Sequence, residues 1–308
     1  MTTASKKKVI ITGASGYLGQ HVLASLDDTD YEIHAVYHKM KAFAEAMKGK
    51  SVHVNSLDLT NSDAIDSYFE RYGPFDVCLH LAALSSPRIC EQEQETARAL
   101  NVPTHFLNKL VEQDCLIVAT STDQVYGGTK GLPYTESDSS EPLNVYAQTK
   151  VQLEEYLSGK KAALLRSSIL LGPKTPFCGE AHDTFLHFCH SRQGQPTTYF
   201  TDEYRSVMAV GDVVKIMNYL ILNPDAARGI YNMGGPHRIS RYDMAQAVQQ
   251  HFEFSEQDVM AARKVDQAPG AIVSPLDITM SSRKLQALVG FDFSSLADIV
   301  KTTFVAKK

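Results

Sequence analysis

Short apolar runs alternate with segments of helical periodicity along the first half of the chain. The apolar runs, rich in β-branched residues, lie at positions 9–12, 32–37, 51–55, 75–81, 115–119 and 162–168. Segments in which apolar side chains recur every three or four residues begin near Gly16 and cover positions 42–47 and 64–72. Strands and helices that alternate in this way predict an α/β fold with a doubly wound parallel sheet.

The regular alternation weakens from Pro173 onward, where the predicted elements become shorter. This change of pattern predicts two parts. We expect residues 1–172 to form a dinucleotide-binding domain and residues 173–308 to form mainly a smaller substrate-binding lobe, some of whose elements are free to return to the main sheet.

The first predicted strand runs directly into a glycine-rich turn. Gly13, Gly16 and Gly19 follow the apolar run at 9–12, and the first helix is expected to begin near Gly16. A helix N-terminus offers unpaired backbone N–H groups and the positive end of the helix dipole, and glycine leaves room for a phosphate to approach. The pattern favours a dinucleotide-binding turn over a merely tight turn.

Hydroxyl residues and a Tyr-Lys pair follow the fifth predicted strand. Thr122 and Asp123 come after the apolar run at 115–119, at the sheet edge where open parallel sheets carry their chemistry. Tyr146 and Lys150 lie one helical turn apart on the same face of a predicted helix. A neighbouring ammonium favours the phenolate, so we expect Lys150 to lower the pKa of Tyr146 and ease proton transfer.

The Gly-x-x-Gly-x-x-Gly turn and the Tyr-x-x-x-Lys motif together resemble the extended branch of the short-chain dehydrogenase/reductase superfamily, with its Rossmann-like fold. Segments 121–126, 142–146, 165–168 and 274–277 are similar to the dTDP-4-dehydrorhamnose reductase family. That family also contains the regulatory β subunit of methionine adenosyltransferase. The sequence Gly-Tyr-Leu-Gly at 16–19 is closer to the β-subunit pattern than to the Gly-Gln-Leu-Gly of many bacterial reductases.

The resemblance implies a catalytic group of Thr122, Tyr146 and Lys150. Tyr146 would give a proton to a substrate carbonyl oxygen as hydride reaches the carbon, while Thr122 holds that oxygen and Lys150 also bonds the nicotinamide ribose. Asp123 and Arg205 are candidate substrate residues. The alternatives are that Asp123 bonds backbone groups of its own loop and that Arg205 forms a surface salt bridge.

The cofactor-binding residues that the resemblance implies come from the glycine-rich turn, the ends of three strands and the catalytic pair. They are Gly13, Ser15, Gly16, Tyr17, Leu18, Gly19, His38, Lys39, Asp58, Leu59, Leu81, Ala82, Ala83, Tyr146 and Lys150. Leu81 replaces the asparagine of the family's Asn-Ala-Ala motif. In relatives the Asp58-Leu59 pair would lie against the adenine ring, although Asp58 is equally able to cap the following helix.

The end of the second predicted strand bears on the choice of cofactor. NAD-specific relatives carry an acidic residue there, whereas this chain has Tyr37, His38 and Lys39. A cationic Lys39, helped by His38, suits the 2′-phosphate of NADP(H), and the alternative is an ordinary exposed loop lysine. We therefore expect NADP(H) to be preferred, with NAD(H) as the second choice.

Composition excludes several other classes of protein. A formal net charge of -5 over 308 residues argues against a general nucleic-acid surface. No apolar run approaches the length of a membrane span, and the first residues lack the apolar core of a signal peptide, so a cytoplasmic location is expected. His182, His187, Cys189 and His190 are spaced as the polar face of a helix, and we expect no metal.

These features predict an NADPH-dependent oxidoreductase that reduces a nucleotide-linked 4-keto-sugar, as the resemblance to dTDP-4-dehydrorhamnose reductases implies. The alternative that the resemblance leaves open is a non-catalytic NADP-binding regulatory subunit. The expected partner is then a small-molecule substrate in the first case and a methionine adenosyltransferase catalytic subunit in the second.

Overall fold

The computed structural model describes residues 6–26, 28–130, 133–179, 183–226, 228–266 and 273–305. Its strands are β1 (Lys7–Thr12), β2 (Tyr31–Tyr37), β3 (His53–Ser56), β4 (Val77–His80), β5 (Leu116–Thr122), β6 (Ala162–Ser167), β7 (Leu170–Leu171), β8 (Thr197–Phe200), β9 (Tyr204–Arg205), β10 (Met208–Ala209), β11 (Gly229–Met233), β12 (Ile239–Ser240) and β13 (Val259–Ala262). Its α-helices are α1 (Tyr17–Ser25), α2 (Lys41–Ala46), α3 (Ser62–Tyr72), α4 (Pro87–Gln92), α5 (Gln94–Asn101), α6 (Thr104–Glu112), α7 (Val145–Leu157), α8 (Phe185–Ser191), α9 (Val210–Leu222), α10 (Arg241–Phe252), α11 (Arg283–Val289) and α12 (Leu296–Thr303).

Seven of these strands form one parallel sheet in the order β11-β6-β5-β4-β1-β2-β3. The chain builds outward from β1 through β2 to β3 and then returns to the other side of β1 at β4. This reversal opens a crevice beyond the carboxyl ends of β1 and β4, which is where such sheets bind ligands. The predicted doubly wound parallel sheet is confirmed.

Alternate residues of each central strand enter two separate apolar cores. Val9 and Ile11 of β1 pack on the face covered by α1 and α9, whereas Ile10 packs on the face covered by α3, α6 and α7. Both faces of the sheet are therefore buried, and this explains why its strands read as nearly continuous apolar runs rather than as alternating ones.

Two elements from the second half of the chain complete the sheet. β11 pairs with β6 as the last strand, and α9 packs beside α1 on one face. The other elements after Pro173, chiefly α8, α10, α12, β8 and β13, surround a third core built on residues such as Leu186, Met244 and Ile299. The boundary between residues 172 and 173 stays a prediction. No helix in the described ranges has the length and apolar character needed to cross a bilayer.

The fifth strand is longer than its apolar run predicts. Residues 120–122 continue the ladder opposite Leu165, Arg166 and Ser167 of β6, so β5 ends at Thr122 rather than at Ala119. The hydroxyl side chains do not match the apolar pattern of a strand, so the sequence does not predict this extension. Pairing with β6, and not local apolarity, holds these three residues extended.

A buried ion pair joins β6 to the helix α7. Arg166 is 3% exposed, and its Nη2 and Nε donate to the two carboxylate oxygens of Glu154 at 2.7 and 3.0 Å. Ser121 of β5 donates to the same carboxylate, and Arg166 Nη1 contacts the hydroxyl of Tyr126 at 2.8 Å. These contacts give Arg166 a structural role within the central sheet.

Replacement of Glu154 by Gln should destabilise the fold, because the variant leaves the buried Arg166 charge without a counter-charge. We expect the free energy of unfolding to fall by about 3–5 kcal/mol, measured by urea denaturation. The exposed neighbour Glu155 offers a matched control, and Glu155→Gln should change stability by less than about 0.5 kcal/mol. Equal stability of the two variants would contradict the role given to the pair.

Candidate active site at the carboxyl edge of the sheet

A cleft of about 810 Å³ lies along the carboxyl edge of the sheet, across the reversal between β1 and β4. It brings together most of the residues predicted from the sequence. Those that line it are Gly13, Ser15, Gly16, Tyr17, Leu18, Gly19, His38, Lys39, Leu59, Leu81, Ala82, Ala83, Thr122, Asp123, Tyr146 and Lys150. One continuous surface thus extends from the glycine-rich turn to the Tyr-Lys pair.

The glycine-rich turn packs its backbone closely against the end of a neighbouring strand. Gly13 has φ +67°, and a Cβ there would lie 2.7 Å from the backbone nitrogen of Ala82. Gly16 precedes the first residue of α1 and makes no side-chain cap hydrogen bond. The first N–H groups of α1 are therefore left for a ligand at the cleft, and the residues present fit the phosphates of a dinucleotide.

Asp58 does not line the cleft, although its neighbour Leu59 does. The Asp58 carboxylate accepts the backbone N–H and the hydroxyl of Thr60 at 2.9 and 2.7 Å, and lies 3.6 Å from His38 Nε2. Asn61, and not Asp58, caps α3 through the N–H of Ala64. These contacts assign Asp58 to the turn before α3, and its contact with adenine stays a prediction.

Arg205 also lies outside the cleft lining and is 3% exposed. Its Nη1 donates to the carbonyls of Tyr204 and Leu276, and its Nη2 donates to Glu203, to Pro275 O and to the Ser274 hydroxyl. A surface salt bridge does not describe this arrangement. The guanidinium anchors residues 274–276 to β9, and direct contact with a substrate diphosphate stays a prediction.

The helix α7 positions the two central side chains of the site. Asn144 caps α7 by accepting the N–H of Ala147 at 2.9 Å, and Glu91 accepts the N–H of Val145 at 2.8 Å. Glu91 of α4 thus supports the start of α7. Both contacts satisfy first-turn donors that no residue within the helix can satisfy.

Lys150 is buried beside Tyr146 and contacts the end of β5. Its Nζ donates to the carbonyl of Thr120 at 2.9 Å and lies 6.0 Å from the centre of the Tyr146 ring. Burial lowers the pKa of Lys150 to about 8. The ammonium is therefore charged at neutral pH but close to losing its proton.

Tyr146 has a raised pKa, contrary to the sequence-based expectation. Burial raises the pKa of its phenol, and a hydrogen bond with Thr122 opposes that shift only in part. Desolvation outweighs the neighbouring ammonium, whose hydrogen bond goes to the carbonyl of Thr120. Tyr146 is thus a neutral phenol at neutral pH, which is the form that gives a proton.

Two buried oxygens beside Thr122 have no hydrogen-bond partner among the described residues. They are Asp123 Oδ2 and Ser168 Oγ, and both residues line the cleft. The side chain of Asp123 accepts from the Thr122 hydroxyl at 3.3 Å, and burial raises the pKa of its carboxyl. Ser168 nevertheless opposes the raised pKa of Asp123, so the two side chains lie close to each other, and a ligand's hydroxyl group at this place stays a prediction.

Sequence reasoning missed Ser168 and its neighbours Ser167, Ile169 and Leu170, which also line the cleft. The available signal was position alone. Ser167 and Ser168 end the sixth predicted strand, and Ile169 and Leu170 follow it, so all four lie at the same sheet edge as Thr122. Nothing in their type distinguishes them from ordinary loop residues.

Among the described residues, one group of side chains has a spacing compatible with a metal ion. Glu32, His34 and His53 lie at the amino ends of β2 and β3, far along their strands from the cleft edge. Lys8 already pairs with Glu32 at 3.2 Å, and His34 Nε2 contacts the same carboxylate at 3.0 Å. The absence of a resident metal stays a prediction.

The histidines of the second half occupy an aromatic environment. His190 on α8 packs 4.3 Å from the Phe252 ring centre, and Cys189 beside it is buried. His182 lies outside the described residues. The helix that we expected around His187 and His190 is present as α8, but these side chains do not form an exposed polar face, since Phe188 is exposed and His190 packs against aromatic rings.

A family model for the RmlD substrate binding domain matches residues 7–306. The chain belongs to this family. It is 28% identical to a dTDP-4-dehydrorhamnose reductase from Aggregatibacter actinomycetemcomitans, over 78% of each chain. It is 25% identical to methionine adenosyltransferase 2 subunit beta from Danio rerio, over 86% of this chain and 80% of the relative. The predicted family is confirmed, and it includes both kinds of relative.

Solved structures confirm the fold. The dTDP-4-dehydrorhamnose reductase from Bacillus anthracis, in complex with NADP, matches with a TM-score of 0.79 at 19% identity, covering 98% of this chain and 100% of the other. UDP-glucose 4-epimerase from Thermotoga maritima, with UDP-glucose, matches with a TM-score of 0.80 at 18% identity, covering 96% and 97%. At these identities the likeness establishes the fold alone.

The lowered pKa of Lys150 predicts how NADPH affinity depends on pH. The charged form of Lys150 prevails below its pKa of about 8 and attracts an anionic cofactor. Affinity should therefore hold steady near pH 7 and weaken above pH 8, by up to about tenfold per pH unit, in fluorescence titrations.

Lys150→Met is the control for this titration, because the variant keeps the apolar stem and removes the titrating group. The variant should bind NADPH more weakly and without that pH dependence. If the unmutated protein bound NADPH equally well from pH 7 to pH 9.5, the assignment to Lys150 would be wrong.

Proposed function

We propose that this protein is an NADPH-dependent reductase of a nucleotide-linked 4-keto-sugar. The observation that carries the proposal is that one cleft contains both the glycine-rich turn and the group Thr122, Tyr146 and Lys150. Relatives that bear the name dTDP-4-dehydrorhamnose reductase match most of the chain in sequence and in fold. Oxidoreductase chemistry at a carbonyl group fits that arrangement of side chains.

Each residue of the catalytic group has a separate task in this proposal. The glycine-rich turn would hold the pyrophosphate of the cofactor, which when bound supplies the hydride. Tyr146, kept neutral by the desolvation of its phenol, donates its proton to the substrate oxygen, and the Thr122 hydroxyl donates a hydrogen bond to the same atom. The charged Lys150 stabilises the phenolate that this proton transfer leaves behind.

The unpartnered oxygens of Asp123 and Ser168 support a sugar as the substrate. A sugar hydroxyl can donate to Asp123 Oδ2 and accept from Ser168 Oγ, and both atoms lie beside Thr122 where the reacting carbon must sit.

The charges behind the site support an anionic group on that sugar. Glu203 is buried among three cations, with Arg205 and Lys264 at 3.1 Å and Arg241 at 3.4 Å. Burial raises the pKa of Glu203, but these cations prevail and lower it to about 2. Asp123 and Asp277 offset part of the charge on Arg205, and the positive charge that Arg241 and Lys264 add to this cluster favours a substrate diphosphate.

Lys39 is free to select NADP(H). It lines the cleft at the end of β2 and makes no hydrogen bond or ion pair with any described residue. His38 lies beside Lys39. The Asp58 carboxylate contacts His38 at 3.6 Å, so it is not placed to bind a ribose hydroxyl. A related structure contains NADP and another, MoeE5, contains NAD, in line with NADP(H) as the preferred cofactor and NAD(H) as the second choice.

We expect NADPH to bind at least about tenfold more tightly than NADH. A charge-assisted hydrogen bond to the 2′-phosphate contributes about that much to affinity. Lys39→Glu should remove or reverse this preference by repelling that phosphate, whereas the exposed neighbour Lys41 lies outside the cleft and Lys41→Glu should preserve it. Fluorescence titration with both cofactors measures the ratio. Equal affinities in the unmutated protein would disprove the selection.

Tyr146→Phe should lower turnover by about a hundredfold or more, because it removes the positioned proton donor. NADPH affinity should change little, because the neutral phenol has no charge that attracts the anionic cofactor. The matched control is Tyr156→Phe, on the same helix but outside the cleft, which should keep full turnover. The assay follows NADPH oxidation with a panel of 4-keto nucleotide sugars, and unchanged turnover in Tyr146→Phe would rule out Tyr146 as the donor.

A regulatory subunit is the second candidate, because several relatives bear the name methionine adenosyltransferase 2 subunit beta. The cofactor and sugar panel separates the two functions when it is combined with a pull-down of the methionine adenosyltransferase catalytic subunit. We expect NADPH oxidation by the isolated chain. A stoichiometric complex with that catalytic subunit, together with no oxidation for any sugar, would establish the regulatory function instead.

A further inference from the structure

A second cavity of about 390 Å³ lies on the far side of the segment that follows Arg205. It is bounded by Gly234 and Gly235 after β11, by residues 277–282 and by the start of α11. It shares no lining residue with the catalytic cleft. The proposed reductase therefore leaves this cavity without a role.

Buried hydroxyls fix the walls of the cavity. Ser282 Oγ donates to the carbonyl of Gly234 and accepts its N–H, both at 2.8 Å. Ser206 Oγ accepts the N–H of Met280 at 3.0 Å and contacts its carbonyl at 3.3 Å. A Cβ on Gly234 would lie 2.6 Å from that of Ser206, so the two walls are in close contact at the base of the cavity.

Two arginines give the cavity a positive charge. Arg238 is held by Asp277, whose Oδ2 lies 2.7 Å from its Nε, and its guanidinium covers the Tyr204 ring. Arg283 makes no hydrogen bond or ion pair with any described residue. Asp277 is the one acidic residue in the lining, and its other carboxylate oxygen accepts the N–H of Thr279 at 3.0 Å.

Further donors beside Arg283 are also unused. The hydroxyl of Ser281 and the side-chain amide of Gln286 line the cavity without a partner among the described residues. Guanidinium, hydroxyl and amide donors that line one cavity suit a group with several acceptor oxygens, as phosphate has. Pro133, Pro236 and Met280 supply an apolar wall, and the volume exceeds that of a phosphate ion.

We propose that this cavity binds a small phosphate-bearing molecule, with the phosphate at Arg238 and Arg283 and the organic part against Pro133, Pro236 and Met280. The same loop, residues 273–277, contacts Arg205 and Asn144, the cap of α7, through the carbonyls of Leu276 and Val273. A ligand in the cavity therefore binds one end of a segment whose other end touches the catalytic helix.

Equilibrium dialysis with labelled inorganic phosphate tests the site, using full-length protein saturated with NADPH so that the glycine-rich turn is occupied. Arg283→Gln should weaken phosphate binding by about tenfold, the effect of losing a charge-assisted hydrogen bond. Gln286→Ala should weaken it to a smaller extent. Arg228→Gln, an exposed charge change outside the cavity lining, should leave phosphate binding unchanged.

Malonate serves as the carboxylate arm of the same measurement. A phosphate site is supported if unlabelled phosphate displaces the labelled phosphate at a far lower concentration than malonate does. Equal phosphate binding by Arg283→Gln and the unmutated protein, or tighter binding of malonate than of phosphate, would overturn the proposal. The readout compares variants in phosphate binding alone, so the result does not depend on whether the protein reduces a nucleotide sugar.

Discussion

The buried pair of Arg166 and Glu154 is the interaction on which the geometry of the site depends. A guanidinium inside a parallel sheet must be paired, and its partner comes from α7, one turn beyond Lys150 on the same helix face. Ser121, which donates to the same carboxylate, immediately precedes Thr122. One ion pair thus fixes the helix that carries Tyr146 and Lys150 against the strand that carries Thr122.

Burial then sets the protonation states that the chemistry needs. The same desolvation raises the pKa of Tyr146 and of Asp123 and lowers the pKa of Lys150 to about 8. The site therefore combines a neutral phenol with an ammonium that loses its charge easily. Removal of water from the cleft, more than any single neighbouring charge, makes Tyr146 a proton donor rather than a phenolate.

Loops connect the two halves of the chain in addition to the pairing of β11 with β6 and of β10 with β7. Arg205 holds residues 274–276 by their carbonyl oxygens, and Asn144 contacts the carbonyl of Val273 while it caps α7. These contacts connect the phosphate cavity, the positive cluster around Glu203 and the catalytic helix. Loops that carry several functions in this way are typical of sites built on a rigid sheet edge.

The sequence by itself determined the alternation of strands and helices, the glycine-rich turn at Gly13 and the Tyr146 and Lys150 pair, because each depends on periodicity or spacing within a few residues. Only the tertiary structure decided the extension of β5, the partner of Lys150, the free oxygens of Asp123 and Ser168, and the burial of Arg205. Each of these is set by contacts between segments far apart in the chain, such as the ladder of β5 with β6 or the bond from Arg205 to Leu276. Local sequence does not reveal such contacts, because a hydroxyl or a guanidinium can form its hydrogen bonds either with water or with a carbonyl from a distant segment.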